Sequence, residues 1–390
     1  MNRTTKIVIG IIVAIVVIGG IWYRVNKKPT TLTTKEPIKI GATLPLTGSL
    51  AYKGVFEKNG VELAADEINS LGGINGKRLQ LIVEDNEGDP NKAVTGVMKL
   101  VNIDNVLVVL SAFTPLTQAI APIVVEKNKV LIYQSSVSSI AQSSDNIFKD
   151  YYNMDDVGRM LVKAAYKEGI KSVALLIPLY QWGEDFKRGA EKEAQKLGMD
   201  IKIIEIYDPS ATDLKSNILK IKEKNPEAIL STNLEKHNIM MMKALYDLNF
   251  LNIRLFGVEL LHENINKDPI SIEVMNKTKA VSNWFYFDPS STDLKTKNFV
   301  ENYKKRYNKE PSADAAYFYD DVYILADVLK ICDSKNLINS ECIISELKKI
   351  KDYPGVAGKV TFNNDGVSYR PLRFFQFING KWYPYEISED

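Results

Sequence analysis

The sequence predicts an α/β fold built as two doubly wound lobes facing each other across a cleft, preceded by one N-terminal transmembrane helix. Three observations carry that expectation. The chain has 390 residues and 45% hydrophobic content, enough to bury the cores of two domains. Short apolar runs alternate with segments of helical period, and the alternation runs through twice. Ahead of it lies Ile7–Trp22, an apolar run without one charged residue, with Arg3 and Lys6 before it.

At 1.5 Å per residue that run spans roughly 24 Å, short of the ~30 Å hydrocarbon core. Tyr23 and the stems of Arg24 and Lys27 make up the difference at the interface. The run contains no cysteine for lipid attachment, and Gly19-Gly20-Ile21-Trp22 is a poor cleavage site. Residues 1–28 are therefore read as an uncleaved membrane anchor in preference to a cleaved signal segment, which would leave a secreted protein. Residues 29–37 are read as a linker within the Thr-, Lys- and Pro-rich tether Asn26–Pro37.

Ile38–Leu46 is β-branched and apolar and reads as the first strand, followed by loop chemistry from Thr47 to Gly54. Val61, Ala64, Ala65 and Ile68 then fall on one helical face, Gly72-Gly73 stops the helix, and Arg78–Asp85 is the next strand. This βαβ unit implies a parallel sheet with its crevice beyond the strand C-termini, where the loop Thr47–Gly54 lies. Asp89-Pro90 is a helix start, with a capping carboxylate and proline at the first helical position. Val106–Leu110 and Val130–Gln134 are strands around the helix Pro115–Lys127. A serine-rich loop, Ser135–Ser144, and an extended stretch, Ile147–Asn153, follow.

The alternation then restarts with helix Asp155–Glu168 and strand Ser172–Ile177. Helix Gly183–Leu197 and strand Asp200–Tyr207 come next. Helices at Ala211–Lys224 and Lys236–Leu248 and strands at Ala228–Ser231, Ile253–Val258 and Ala280–Phe287 continue it. Met240-Met241-Met242 lies on a helix with no cysteine partner and reads as flexible core filler. After helices Phe299–Tyr307, Ala313–Ile331 and Cys342–Ile350 the tail changes character. Strands Gly358–Phe362, Phe374–Ile378 and Trp382–Tyr385 are separated by Asn-Asn-Asp-Gly and Asn-Gly turns, which favour antiparallel hairpins.

Charge and motif content narrow the function. A formal net charge of +2, from 50 basic and 48 acidic residues, argues against a nucleic-acid partner. Cys332 and Cys342 are too few for a disulfide framework or a thiolate zinc site; pairing and two separate thiols both remain open. His237 and His262 form no H-E-x-x-H frame, and His237 reads as a solvated or capping residue at a helix start. Neither a G-x-S-x-G elbow nor a phosphate-binding G-x-x-x-x-G-K-[ST] loop occurs. The spacing of Gly41, Gly48 and Gly54 is not that of a dinucleotide fingerprint. Asp320-Asp321 is no acid/base dyad, because neighbours on a helix point in different directions. A binding module without cofactor or metal is expected rather than an enzyme.

The stretches "IKIGATLPLTG", "NGVELAADEINSLGGINGKRLQLIVEDNEGDPNKA", "YQWGEDFKRGAEKEAQKLG" and "AAYFYDDVYILADVL" resemble, in order, the type I periplasmic-binding-protein family. They are most similar to its leucine/isoleucine/valine-binding branch, the solute receptors of branched-chain amino-acid ABC transporters. E-I-N-x-x-G-G-I-N-G-K is the most specific piece. The resemblance implies two Rossmann-like lobes, 38–152 with 287–352 and 153–286 with 353–390, joined by three crossings and closing on ligand. It also implies a monomer, exposed outside the cytoplasm, that binds an amino acid, of branched-chain type before others, and delivers it to an ABC permease in the membrane.

Site residues follow from the same resemblance. Thr114 falls on the hydroxyl position that holds the ligand carboxylate, within the loop Ser111–Gln118. Ser135 and Ser136 match a second clamp, whose hydroxyl position is occupied by Val137. Trp182 falls on an aromatic closing from lobe two, and Glu259 on the carboxylate that pairs with the α-ammonium. Leu234 stands at another aromatic position, and Lys53, next to Tyr52, at a third. Val137, Leu234 and Lys53 depart from the family's types, which keeps amides, urea or aromatic acids open as ligands. A sensory ectodomain of the same fold is the competing role.

Overall fold

The strand Ile38–Leu44 (β1) opens the first lobe. Residues 36–284, 287–370 and 372–387 are described by the structure, a computed structural model. The anchor expected over Ile7–Trp22 lies outside them. Among the described residues no helix is long and apolar enough to cross a membrane.

After β1 the first lobe continues with α1 (Ala51–Ser70), β2 (Leu79–Asp85), α2 (Pro90–Asn102) and β3 (Val108–Ala112). Helix α3 (Thr114–Glu126), β4 (Val130–Gln134) and β5 (Ile147–Lys149) complete its parallel sheet, in the order β2-β1-β3-β4-β5. Ile40 pairs with Leu81 on one side and Val108 on the other, and every residue of β3 and β4 is buried. Strands covered on both faces need continuous apolar sequence, which is what those segments carry. Asp89 caps α2 by accepting from the Asn91 and Lys92 amides.

The second lobe begins with α4 (Met154–Lys167), β6 (Ser172–Pro178), α5 (Gln181–Leu197), β7 (Asp200–Tyr207) and α6 (Lys215–Lys224). It continues through β8 (Ala228–Ser231), α7 (Glu235–Asp247), β9 (Arg254–Val258), α8 (Glu263–Lys267), α9 (Pro269–Thr278) and β10 (Val281–Trp284). Then α10 (Leu294–Tyr307) and α11 (Ala313–Ser334) return to pack on α1, and α12 (Ser340–Leu347) follows. A small three-stranded sheet, β11 (Tyr353–Gly355), β12 (Gly358–Phe362) and β13 (Ser368–Tyr369), precedes β14 (Arg373–Ile378) and β15 (Lys381–Tyr385). The last two join the second sheet, of order β15-β14-β10-β9-β8-β6-β7, where β14 runs antiparallel to β10 and to β15.

Several expectations need correction. Helix α1 starts at Ala51 and includes Gly54, whereas Thr47–Gly54 reads as loop in the sequence. Gly54 is not a breaker there: a Cβ would lie 2.0 Å from the Pro45 carbonyl oxygen, so the helix start rests directly on the strand end. Helix α6 starts at Lys215 rather than Ala211, because Asp213 turns the chain by accepting from the Lys215 amide. Helices α8 and α9 are absent from the sequence reading, although Asp268-Pro269 repeats the Asp89-Pro90 signal and Asp268 caps the Ser271 amide. His237 is not solvated: it is 1% exposed, with Nε2 3.2 Å from the Pro209 carbonyl. Met241 and Met242 are buried filler, as expected. Cys332 and Cys342 form a disulfide joining the end of α11 to α12.

The passages between lobes are tied by buried charge. Arg370, beyond β13, forks onto Asp150 just after β5, with bonds of 2.8 and 2.5 Å. Its third nitrogen donates to Asp320 (3.1 Å) and to the Ala357 carbonyl (3.0 Å), and its guanidinium lies over the Tyr317 ring. All three ionic side chains are fully buried. Asp320 also accepts from the Val356 and Ala357 amides, while Asp321 accepts instead from Gln134. The two neighbouring aspartates thus meet one buried network at different points: Asp320 pairs with Arg370, and Asp321 hydrogen-bonds the Asp150 carboxyl that Arg370 also holds.

Candidate functional site

A cleft of about 500 Å³ opens between the lobes at the C-terminal ends of β1, β3, β4, β6, β8 and β9. Tyr52, Thr114, Ser135, Ser136, Trp182, Leu234 and Glu259 all line it. Val137 does not. Its side chain is buried among the apolar residues around α2 and α3. The Tyr133 hydroxyl donates to the Val137 carbonyl (2.7 Å) and accepts from the Ala141 amide, which pulls the loop inward. A buried valine there is packing, so the hydroxyl lost at this position is not replaced by an apolar ligand contact.

Lobe one supplies the anion-binding wall. Phe113 links β3 to α3 with φ 66°, a left-handed conformation uncommon for a side chain of this size. That turn sets Thr114 and Pro115 at the first turn of α3, whose free amides and dipole favour an anion. Thr114 Oγ1 donates to Ser135 Oγ at 3.1 Å, so hydroxyls from two strand ends meet at this spot. The neighbouring loop Thr47–Leu50 is held by Asp85, which accepts from the Leu46 amide and from the Thr47 hydroxyl.

Lobe two supplies the opposing carboxylate. Glu259 follows β9 with φ 56° and is 9% exposed. One carboxylate oxygen lies 3.2 Å from His262 Nε2, and the other accepts from the Tyr152 hydroxyl at 3.4 Å. Burial pushes this carboxyl up, but His262, the Lys53 ammonium and Tyr152 outweigh it and hold it below the usual glutamate value. His262 is depressed by burial and raised more by Glu259, so its net shift is upward. Trp182, in the first turn of α5, stacks on Tyr180 with centroids 5.8 Å apart and planes 23° apart. Leu234, before α7, is 46% exposed on the same rim.

The cleft holds residues that the sequence reading does not nominate. Tyr151 and Tyr152, on the passage from β5 to α4, stand with their rings 4.4 Å apart. Glu57 lies one turn beyond Lys53 on α1, and Asp314 is in the first turn of α11. Burial, and next to it the Asp314 carboxylate, push Glu57 well above the ordinary glutamate range; Lys53 opposes them. Burial lowers Lys53, but Asp314 and Glu259 more than reverse this and hold it charged. A signal for Glu57 was available: it stands four residues before Val61, on the helical stripe otherwise filled by Ala64, Ala65 and Ile68.

Two lobes of mainly parallel sheet, with a cleft across their strand ends that sets a few polar groups among aromatic side chains, define a two-lobed solute-binding fold. The family model described as "Periplasmic binding protein" matches residues 37–381, and the chain belongs to that family, as a type I member of the leucine/isoleucine/valine-binding branch. A Leu/Ile/Val-binding protein homolog 7 of Brucella melitensis is 21% identical over 336 residues, 83% of this chain and 79% of its own. Among solved structures, a leucine-binding protein of Thermotoga maritima aligns with TM-score 0.75 and 20% identity, over 90% of this chain and 98% of that one. A branched-chain amino-acid transporter substrate-binding protein of Streptococcus pneumoniae, solved with isoleucine, aligns with TM-score 0.71 and 24% identity, over 89% and 98%. At these identities the structural likeness establishes the fold alone.

Proposed function

We propose that this protein is an extracytoplasmic receptor that closes its two lobes on an α-amino acid and delivers it to an ABC permease. One observation carries the reading. Glu259, kept ionised on lobe two, faces a cleft whose other wall offers the Thr114 and Ser135 hydroxyls at the start of α3. A buried zwitterion needs both an anion for its ammonium and donors for its carboxylate, since an unpaired buried charge is expensive. The two sets sit on different lobes, so both are satisfied only when the lobes approach, which couples binding to closure. The lobes divide as 38–152 with 287–352 and 153–286 with 353–390. The isoleucine bound to the Streptococcus pneumoniae protein, and a Pseudomonas aeruginosa relative described as binding leucine, isoleucine, valine, threonine and alanine, support the ligand class. The segment Ile7–Trp22 would tether the receptor to the membrane that holds its permease.

A thermal-shift panel of the L-amino acids on the full-length protein tests this reading. At least one should raise the melting temperature, and Glu259→Ala should remove about 2–5 kcal/mol of binding, the range for breaking a buried hydrogen-bonded charge pair. A panel without any shift, alongside a non-amino ligand bound equally by both forms, would overturn it.

A further inference from the structure

Charges on the cleft wall reach beyond the amino-acid class to its side chain. Glu259 is assigned to the α-ammonium, and Thr114, Ser135 and the α3 N-terminus to the α-carboxylate. That leaves Lys53, Glu57 and Asp314, all on lobe one. Among the described lining residues Lys53 is the one cation, and it already faces Asp314, Glu259 and Glu57 together. Glu57 is 2% exposed, lines the cleft, and has no hydrogen-bond partner at Oε2. Asp314 accepts a long 3.4 Å bond from the Tyr151 hydroxyl.

The backbone brings the two acidic residues to the same wall of the cleft. Helices α1 and α11 meet at Gly60, where an added Cβ would lie 2.2 Å from the Ala315 carbonyl oxygen. Glu57 lies one turn before that contact on α1, and Asp314 immediately before it on α11. A side chain of any other kind than glycine at position 60 would pry these helices apart. Two acids near enough for Asp314 to raise Glu57, with one shared lysine and an unfilled acceptor, make a poor end of the cleft for an aliphatic side chain, because a buried acceptor left unsatisfied costs free energy.

We propose that Glu57 and Asp314 form the side-chain subsite, and that the amino acid received here carries a cationic side chain, an ammonium or a guanidinium. The proposal rests on the amino-acid reading above. A cation between the two carboxyls fills the Glu57 acceptor and relieves their mutual repulsion. The adjoining Tyr151 and Tyr152 rings add π faces that attract a cation and also accommodate its methylene stem. An acidic side chain would instead place a third anion beside the pair.

Calorimetric titration of the full-length protein with L-lysine, L-arginine, L-leucine and L-glutamine tests the subsite. Lysine or arginine should bind at least tenfold more tightly than leucine and glutamine. Glu57→Gln, nearly isosteric, and Asp314→Asn should each erase that advantage while leaving the wild-type circular dichroism. Leucine or glutamine binding as tightly as both cationic amino acids, or a cationic preference intact in Glu57→Gln, would overturn the proposal. Agmatine and cadaverine, which lack the α-carboxylate, separate the two readings. If they bind in a Glu57-dependent way while no amino acid does, the cationic subsite stands and the amino-acid reading falls. If neither set binds, both fall.

Discussion

Replacing Arg370 with leucine should remove more stability than any single substitution in the cleft. Arg370 makes two hydrogen bonds to Asp150, one to Asp320 and one to the Ala357 carbonyl, with all three ionic groups fully buried. Deleting one partner of such a pair costs about 3–5 kcal/mol, since the remaining charge stays buried. The orphaned carbonyl adds about 1 kcal/mol more. The sum is a large share of the ~5–15 kcal/mol typical of folded proteins, so urea unfolding at low temperature is the suitable assay. Burial alone would raise Asp150, but Arg370 draws its carboxyl below the ordinary aspartate value. That stabilisation is present above the unfolded-state pKa and is lost as pH falls through the folded one. In Arg370→Leu the carboxyl instead takes up a proton readily, so the deficit should narrow between pH 7 and pH 4. Arg370→Lys keeps the charge without the fork and should fall between the two. A leucine variant within about 1 kcal/mol of wild type, or a deficit unchanged across that pH range, would refute the reasoning.

Three other outcomes are expected. Gly60→Ala should destabilise by about 1–3 kcal/mol, the usual cost of overpacking, and weaken ligand binding as α1 and α11 separate; denaturant midpoints and calorimetry check both. Cys332→Ser with Cys342→Ser opens a loop spanning a sequence separation of 10 and should lower stability by about 2–3 kcal/mol without changing ligand affinity. Affinity for a cationic amino acid should rise with pH through the acid range above the ordinary glutamate value and then level off. Burial and Asp314 raise Glu57 in the free protein, so it holds a proton at low pH that the bound cation displaces. Lys53 opposes that shift without cancelling it, and Glu57→Gln should flatten the profile.

The sequence makes the strands and the general place of the cleft legible, because buried parallel strands demand unbroken apolar runs such as Val106–Leu110 and Ser172–Ile177. It makes Asp89-Pro90 legible as a helix start for the same local reason, and Asp268-Pro269 would have yielded α9 on equal terms. Residues nominated from strand-end loops, Thr114, Ser135, Ser136, Trp182 and Glu259, do meet in one cleft. What stayed hidden depends on side-chain contacts that hydrophobic periodicity does not show. Val137 turns inward because of the hydroxyl of Tyr133, four residues earlier in the chain. Asp314 reaches the cleft only because α11 returns to α1 some 250 residues later, at a contact that local periodicity does not show. Asp320 and Asp321 look like a pair in sequence, and only the fold assigns one to Arg370 and the other to Gln134 and Asp150.

The most direct measurement compares, on wild type and Glu259→Gln, the affinity of the best-bound L-amino acid with that of its 2-hydroxy acid, which keeps the side chain and carboxylate but lacks the ammonium. If Glu259 receives the α-ammonium across the cleft, wild type should prefer the amino acid by about 2–5 kcal/mol, roughly 30-fold or more, and the glutamine variant should lose most of that preference. Equal binding of the two compounds by wild type, or a preference that survives Glu259→Gln, would contradict an amino-acid receptor built on this carboxylate.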